Sequence, residues 1–145
     1  MLLGGGYDLS IHERYRPFFL GAFTTNGDLV GAISGHRTSP DSFRSRGLFV
    51  APGYRGLGIA HELLFEVCCL AWSEGSNLVW TYPRQSAWPV YHKFGFNLRS
   101  DWISDGYGCN AYAVKSIDFD LWRSKKSTCV SPMARPELRT KTSVL

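Results

Sequence analysis

No apolar run in this chain of 145 residues approaches the ~20 consecutive residues that a membrane-spanning helix needs. The opening Met1-Leu2-Leu3-Gly4-Gly5-Gly6 has neither the basic start nor the long apolar stretch of a secretory signal. Cysteines are few and badly placed for metal. Cys68, Cys69, Cys109 and Cys129 contain no CxxC pair, so neither a tetrahedral zinc site nor a disulfide framework is expected. The adjacent pair reads as small hydrophobes in a helix. A reducing cytoplasm and no membrane partner follow as the default setting. Strong charge of one sign is also lacking. The net charge is +4, with basic residues gathered around Arg37 to Arg46 and from Arg123 to Lys141. Neither cluster interleaves aromatics with basic residues as a single-strand groove does, so no nucleic-acid partner is expected. A mild preference for anionic ligands remains.

What is present suits one folded domain: 44% hydrophobic and 14% aromatic residues over a domain's usual length. Phe18 to Ala22 reads as a strand. Asn26-Gly27 is a hairpin signal, because both residues accept positive φ. Leu29 to Ser34 is a second strand containing Gly31, and Thr38 to Ser42 reads as a loop. Gly47 to Val50 is a third, buried strand ended by Pro52. From Ile59, the residues Ala60, Leu63, Leu64, Val67 and Ala71 recur at steps of three and four, which predicts an amphipathic helix of about four turns. Gly75 is placed to cap it. Leu78 to Tyr82 is a fourth strand. Ser86 to Phe94 is a short helix with Ser86 as its cap, Pro89 in its first turn and Gly95 as its stop. Phe96 to Ile103 and Asn110 to Lys115 form a closing strand pair. Residues 116–122 read as a helical turn, and residues 124–145 as a poorly ordered tail. Hairpins around a strand–helix–strand unit make a mixed α/β (α+β) sheet with helices packed on it.

The informative stretch is Leu48-Phe49-Val50-Ala51-Pro52-Gly53-Tyr54-Arg55-Gly56-Leu57-Gly58-Ile59-Ala60. A strand stops, a glycine turn follows, and a helix starts at once. The first amides of a helix have no partner within it, and the positive end of its dipole adds to them, so the turn can hold an anion. Gly56 and Gly58 remove the Cβ atoms that would keep a phosphate away. Arg55 brings a forked cation. A Walker loop would need Lys-Ser or Lys-Thr after Gly58, and Ile59-Ala60 stands there. The dinucleotide fingerprint would need Gly at 61, and His61 stands there. A plain structural turn that binds nothing explains the glycines equally well.

Arg55, Gly58 and Ala60 match the Gln/Arg-x-x-Gly-x-Gly/Ala signature of the GNAT superfamily of N-acetyltransferases, with Val50 and Pro52 matching its Val-x-Pro approach. Downstream, Ala87-Trp88-Pro89-Val90-Tyr91-His92-Lys93-Phe94-Gly95-Phe96 resembles that family's Ala-x-x-x-Tyr-x-x-x-Gly-Phe segment. The resemblance covers roughly residues 18–115 of a single domain spanning 1–145. It implies a mostly antiparallel central sheet with a V-shaped splay between two parallel strands, flanked by helices. The substrate is then acetyl-coenzyme A, with no metal. The resemblance assigns the pantetheine arm to the backbone of Phe49 and Val50. The pyrophosphate falls to Arg55, Gly56, Leu57, Gly58, Ile59 and Ala60. Arg84, where relatives often carry an Asn, is a further cofactor contact, and Tyr91 is the acid for the departing thiolate. The acetyl acceptor is then an amine of a small molecule or peptide, and a homodimer is in keeping with relatives.

Two departures matter. Many relatives carry a glutamate base on the central strand, but Phe43-Arg44-Ser45-Arg46 has no carboxylate, which leaves His36 or a water chain. Only about 16 residues precede Phe18, so the N-terminal helical part is expected to be short or missing. The acceptor wall is then open, completed by a partner subunit, or absent. The rival reading is a non-catalytic acyl-CoA-binding module. Trp72, Trp80, Trp88 and Tyr82 read as core, with Trp88 and Tyr82 nearest the expected cleft.

Overall fold

The structure, a computed structural model, describes residues 2–3, 7–8, 10–106, 108–118 and 138–144. β1 (Leu2–Leu3) and β2 (Tyr7–Asp8) form a small antiparallel pair, followed by a single turn of helix, α1 (Ile11–Arg14). The main sheet is built from β3 (Phe18–Thr24), β4 (Leu29–Ser39), β5 (Ser42–Val50), β6 (Leu78–Thr81), β7 (Asn97–Leu98), β10 (Ala113–Ser116) and β11 (Leu138–Val144). A second small hairpin pairs β8 (Ile103–Ser104) with β9 (Cys109–Asn110). The seven strands run in the order β11-β3-β4-β5-β6-β10-β7. Every neighbouring pair is antiparallel except β5 and β6, which are parallel. A mixed, mostly antiparallel sheet is what the sequence implied.

The Asn26-Gly27 turn forms as expected. Gly27 takes φ +90°, and the Thr24 amide donates to the Asp28 carbonyl at 2.9 Å. The expected loop over 38–42 is not a loop. β4 runs to Ser39 and β5 starts at Ser42. The hydroxyl of Ser39 donates to Asp41 Oδ1 at 2.8 Å and so closes a tight turn. Serine and aspartate signalled the turn correctly, but one far shorter than their spread implied.

α2 (Ile59–Ser73) buries Ile59, Leu63, Leu64, Val67, Cys68 and Ala71 against the sheet. Gly31 makes this close approach workable, since a Cβ there would lie 2.9 Å from Ile59 Cγ2. The helix ends where Gly75 takes φ +86°. α3 (Trp88–Phe94) is preceded by a 3₁₀ turn over Gln85–Ala87 and has Pro89 in its first turn. Ser86 does not cap it; Ala87 holds the cap position with no side-chain hydrogen bond, because the 3₁₀ turn carries the chain into the helix instead. Gly95 stops it at φ +113°.

The expected closing pair is interrupted. Asn97 and Leu98 pair with β10, whereas Ile103 and Ser104 pair with β9. Between them the Arg99 amide donates to the Tyr112 carbonyl at 2.8 Å. In the tail, residues 138–144 lie antiparallel along β3, from Leu138 opposite Thr24 to Val144 opposite Phe18. They were expected to lack order because they are polar. A sheet edge needs only main-chain pairing and tolerates polar residues. Ser116 belongs to β10 rather than to the expected helical turn, because its pairing with Leu78 continues the ladder. Residues 119–122, 124–137 and 145 lie outside the described residues.

Candidate active site

β5 and β6 pair only at Ser42–Leu78, Phe43–Val79 and Arg44–Trp80. β5 then runs on to Val50 while β6 ends at Thr81, so the parallel strands part after Arg44. A bulge lies in the same stretch. Gly47 and Leu48 together face the single residue Ile33, since Ala32 pairs with Phe49 and Ser34 with Arg46. Gly47 takes φ +70° to form it. Such a bulge bends its strand and sharpens the local twist, which fits the divergence of β5 from β6.

β5 delivers the chain straight into the glycine turn. The Ala51 amide donates to the Val30 carbonyl at 2.8 Å, and Pro52–Tyr54 forms a 3₁₀ turn. Gly56 then takes φ +74° and Gly58 φ +84°. A side chain in this left-handed region costs roughly 1–2 kcal/mol, so glycine is the natural occupant. Gly58 is the N-cap of α2, with no side-chain cap bond. The first-turn amides therefore face the exposed loop without an acceptor from the helix. A Cβ on Gly56 or Gly58 would meet nothing within 4 Å. The side chain of Arg55 is exposed, and its Nε donates to the Val50 carbonyl at 3.0 Å. That bond ties the cation of the loop to the end of the parting strand. Leu57 is exposed, Ile59 is buried and Ala60 half-buried. Phe49 is 48% exposed, an unusual position for a large ring on a central strand. Val50 is half-buried.

Tyr91 comes up from α3 and is buried. Its hydroxyl is hydrogen-bonded to Thr81, the last residue of β6, and its ring meets Phe96 edge-on at 5.5 Å. Burial pushes its phenol up to about 12, against a smaller opposing effect of the Thr81 hydrogen bond. Arg84 is exposed and forms an isolated bridge with Asn110 just beyond β6. The structure thus puts Tyr91 and Arg84 on the segments that leave β6, Phe49 and Val50 at the end of β5 beyond its last pair with β6, and the glycine turn on the segment that leaves β5. The two halves flank one parting.

His36 is buried, with Nδ1 2.8 Å from the Arg37 carbonyl. That bond puts the proton of the neutral ring on Nδ1 and the lone pair on Nε2. Burial holds its pKa below 6.5, opposed by the Arg37 hydrogen bond and reinforced by His12, Arg44 and Arg46. His61 and His92 are exposed, as expected.

Trp80 and Tyr82 are not core. They lie on the sheet face opposite α2, with the Tyr82 ring 4.6 Å from Tyr112 and the Arg44 guanidinium 4.7 Å over Trp80. Strand alternation sends them there, since Val79 and Thr81 occupy the buried face. Trp72 and Trp88 do pack against the core. Sequence reasoning missed Thr81 and Tyr112. Neither belongs to a motif, and each gains a partner only when distant segments meet.

The chain belongs to the acetyltransferase (GNAT) family, whose sequence pattern matches residues 5–96. Solved structures share the fold. An acetyltransferase from Bacillus cereus superposes with a TM-score of 0.64 at 18% identity, over 77% of this chain and 80% of that one. A GNAT-family acetyltransferase from Staphylococcus aureus gives 0.61 at 23% identity, over 70% and 68%. An aminoglycoside 6'-N-acetyltransferase complexed with coenzyme A gives 0.58 at 15% identity, over 67% and 71%. No curated protein matches the chain in sequence. Membership makes acetyl-coenzyme A the acyl donor. Among the described residues no helix is long and apolar enough to cross a membrane.

Proposed function

We infer that the chain moves an acetyl group from acetyl-coenzyme A to a primary amine of a small molecule or peptide. The observation that carries this reading is the parting of β5 from β6, which opens directly onto an uncapped glycine turn. On this reading the amides of Phe49 and Val50 pair with the pantetheine arm. A fixed amide there stabilises the charge that grows on the acyl oxygen. The amides of Gly56, Leu57, Gly58, Ile59 and Ala60 hold the pyrophosphate. Arg55, anchored on the Val50 carbonyl, and Arg84 supply positive charge. Acetyl-coenzyme A supplies the activated acyl group.

The amine must arrive neutral, since an ammonium has no lone pair. Its nitrogen forms the new N–C bond as the C–S bond breaks, with no covalent enzyme intermediate. Tyr91 donates its phenolic proton to the departing sulfur, and the proton shed by nitrogen leaves through His36 Nε2 or water. With its phenol pushed up to about 12, Tyr91 is protonated at every physiological pH. The burial of Tyr91 and its bond to Thr81 favour a second reading, an acyl-CoA-binding module without turnover.

Two measurements on the full chain decide between them: calorimetric binding of coenzyme A, and thiol release from acetyl-coenzyme A across an amine panel. Binding with thiol release on at least one amine supports acetyl transfer. Binding without release on any amine selects the second reading, and no binding overturns both.

A further inference from the structure

β5 and β6 hold together as far as Arg44–Trp80, so Ser45 and Thr81 are the first residues beyond the last pair. Strand alternation puts them on the same face as Phe43 and Val79, two residues back, which pack in the core with α2. All four are buried. The Thr81 hydroxyl is taken up by Tyr91. Ser45 is 0% exposed, and its Oγ has no hydrogen-bond partner among the described residues. Its neighbour on β4 is Gly35, which has no side chain to supply one. A buried hydroxyl without a partner gives up its bonds to water for nothing in return, so a residue that merely filled this space would be better as alanine.

The place of this hydroxyl ties it to the reaction. From the end of β5 at Val50 back to Ser45 the strand covers about 16 Å at its usual rise. The pantetheine arm is as long as four or so residues of extended chain, roughly 15 Å. An arm that leaves the glycine turn and runs along β5 therefore carries its sulfur towards the narrow end of the parting. The hydroxyls of Tyr91, Thr81 and Ser45 lie at that end, on one face of the sheet.

We propose that Ser45 is a catalytic residue, its hydroxyl donating a hydrogen bond to the thioester sulfur that strengthens as the sulfur becomes a thiolate. The inference rests on the acetyl-transfer reading above and adds a second donor at the leaving group. As the C–S bond breaks, its electron pair goes to sulfur. Sulfur takes its proton from Tyr91, solvent restores that proton to Tyr91, and Ser45 keeps its own throughout. A neutral sulfur is a weak acceptor and a charged one a strong acceptor, so the bond favours the transition state over the bound substrate.

The test compares the full natural chain with Ser45→Ala, using acetyl-coenzyme A, coenzyme A and desulfo-coenzyme A, which lacks only the sulfur. Ser45→Ala is expected to unfold in urea at the natural midpoint or a higher one, because the atom it loses had no partner. Its kcat for thiol release with an accepted amine is expected to fall roughly 10- to 100-fold. Calorimetry at about pH 9, where part of the free thiol is ionised, is expected to show coenzyme A bound about tenfold more weakly and desulfo-coenzyme A bound as before. Ser45→Cys keeps a weaker donor, and its kcat is expected between the two. A lower urea midpoint for Ser45→Ala makes the hydroxyl structural and overturns the proposal. So does an equal loss of affinity for both ligands, an unchanged affinity for coenzyme A, or a kcat within about twofold of the natural one. If the natural chain binds no coenzyme A, this proposal and the transfer reading fall together. A sulfur-dependent loss of affinity without thiol release on any amine supports the contact and sinks the transfer reading alone.

Discussion

On the proposed reading, Gly58, Tyr91 and His36 carry the chemistry most directly. Gly58 sits at φ +84° with open space where a Cβ would stand, so Gly58→Ala costs only backbone strain, about 1–2 kcal/mol of stability. If the turn holds the pyrophosphate as proposed, coenzyme A affinity is expected to fall more than tenfold. Calorimetry beside urea unfolding separates the two effects, and a stability loss without an affinity loss removes the turn from the cofactor site. Tyr91→Phe deletes one hydroxyl and leaves the ring packing intact. If Tyr91 is the acid, kcat falls about 10²- to 10⁴-fold while coenzyme A binds as before. A change of only a few-fold, with about 1 kcal/mol lost from the Thr81 hydrogen bond, makes it a packing residue. The native state holds the Tyr91 proton more tightly than the unfolded chain does, up to about 12 against an ordinary 10.0. Its contribution to stability is full below pH 10 and is lost as pH rises towards 12. That alkaline loss is expected to shrink in Tyr91→Phe. His36 behaves in the opposite sense. Its folded pKa lies below 6.5 through burial, so the unfolded chain gains the proton first and stability falls as pH drops below 6.5. An NMR titration of its ring with a midpoint at 6.5 or above refutes this.

At the scale of elements, α2 joins the site to the core. Its N-terminus faces the glycine turn, while Leu63, at 0% exposure, anchors it on the sheet. Leu63→Ala is expected to cost about 2–5 kcal/mol, measured as a lower urea midpoint at an unchanged slope. A fall in coenzyme A affinity of the folded variant would show that helix seating also sets the turn. The sequence made this helix legible because its apolar period and its Gly75 stop are local. It also made the Asn26-Gly27 hairpin legible, where φ preference alone selects the turn. The β5 bulge was not legible: Gly47 reads as an ordinary strand residue until Ile33 is seen standing opposite two residues. Ser86 misled for a related reason, since the 3₁₀ turn before α3 moves the cap to Ala87.

For the whole molecule, ligand binding and folding are linked. Coenzyme A that binds only the folded chain stabilises it by about 2.7 kcal/mol at a hundredfold excess over Kd. A thermal melt is therefore expected to shift upward with coenzyme A, and the shift should shrink in Gly58→Ala. No shift in the natural chain contradicts the cofactor site.

The sequence by itself determined the glycine turn, the helix behind it and the family. Each rests on residue types at short fixed spacings, where backbone preference and motif act locally. Only the tertiary structure decided how far the parallel strands stay together. That depends on pairing between residues more than 30 apart and on a bulge set by β4. It alone placed Thr81 on Tyr91 and brought Arg44, Trp80, Tyr82 and Tyr112 to one face. It also laid residues 138–144 along β3, because main-chain pairing is nearly indifferent to the side chains from which the tail was read. The glycine turn and its helix are local in the chain, and the face that carries Arg44, Trp80, Tyr82 and Tyr112 is an assembly of distant segments. That difference in contact range is why one could be read from the sequence and the other had to be seen folded.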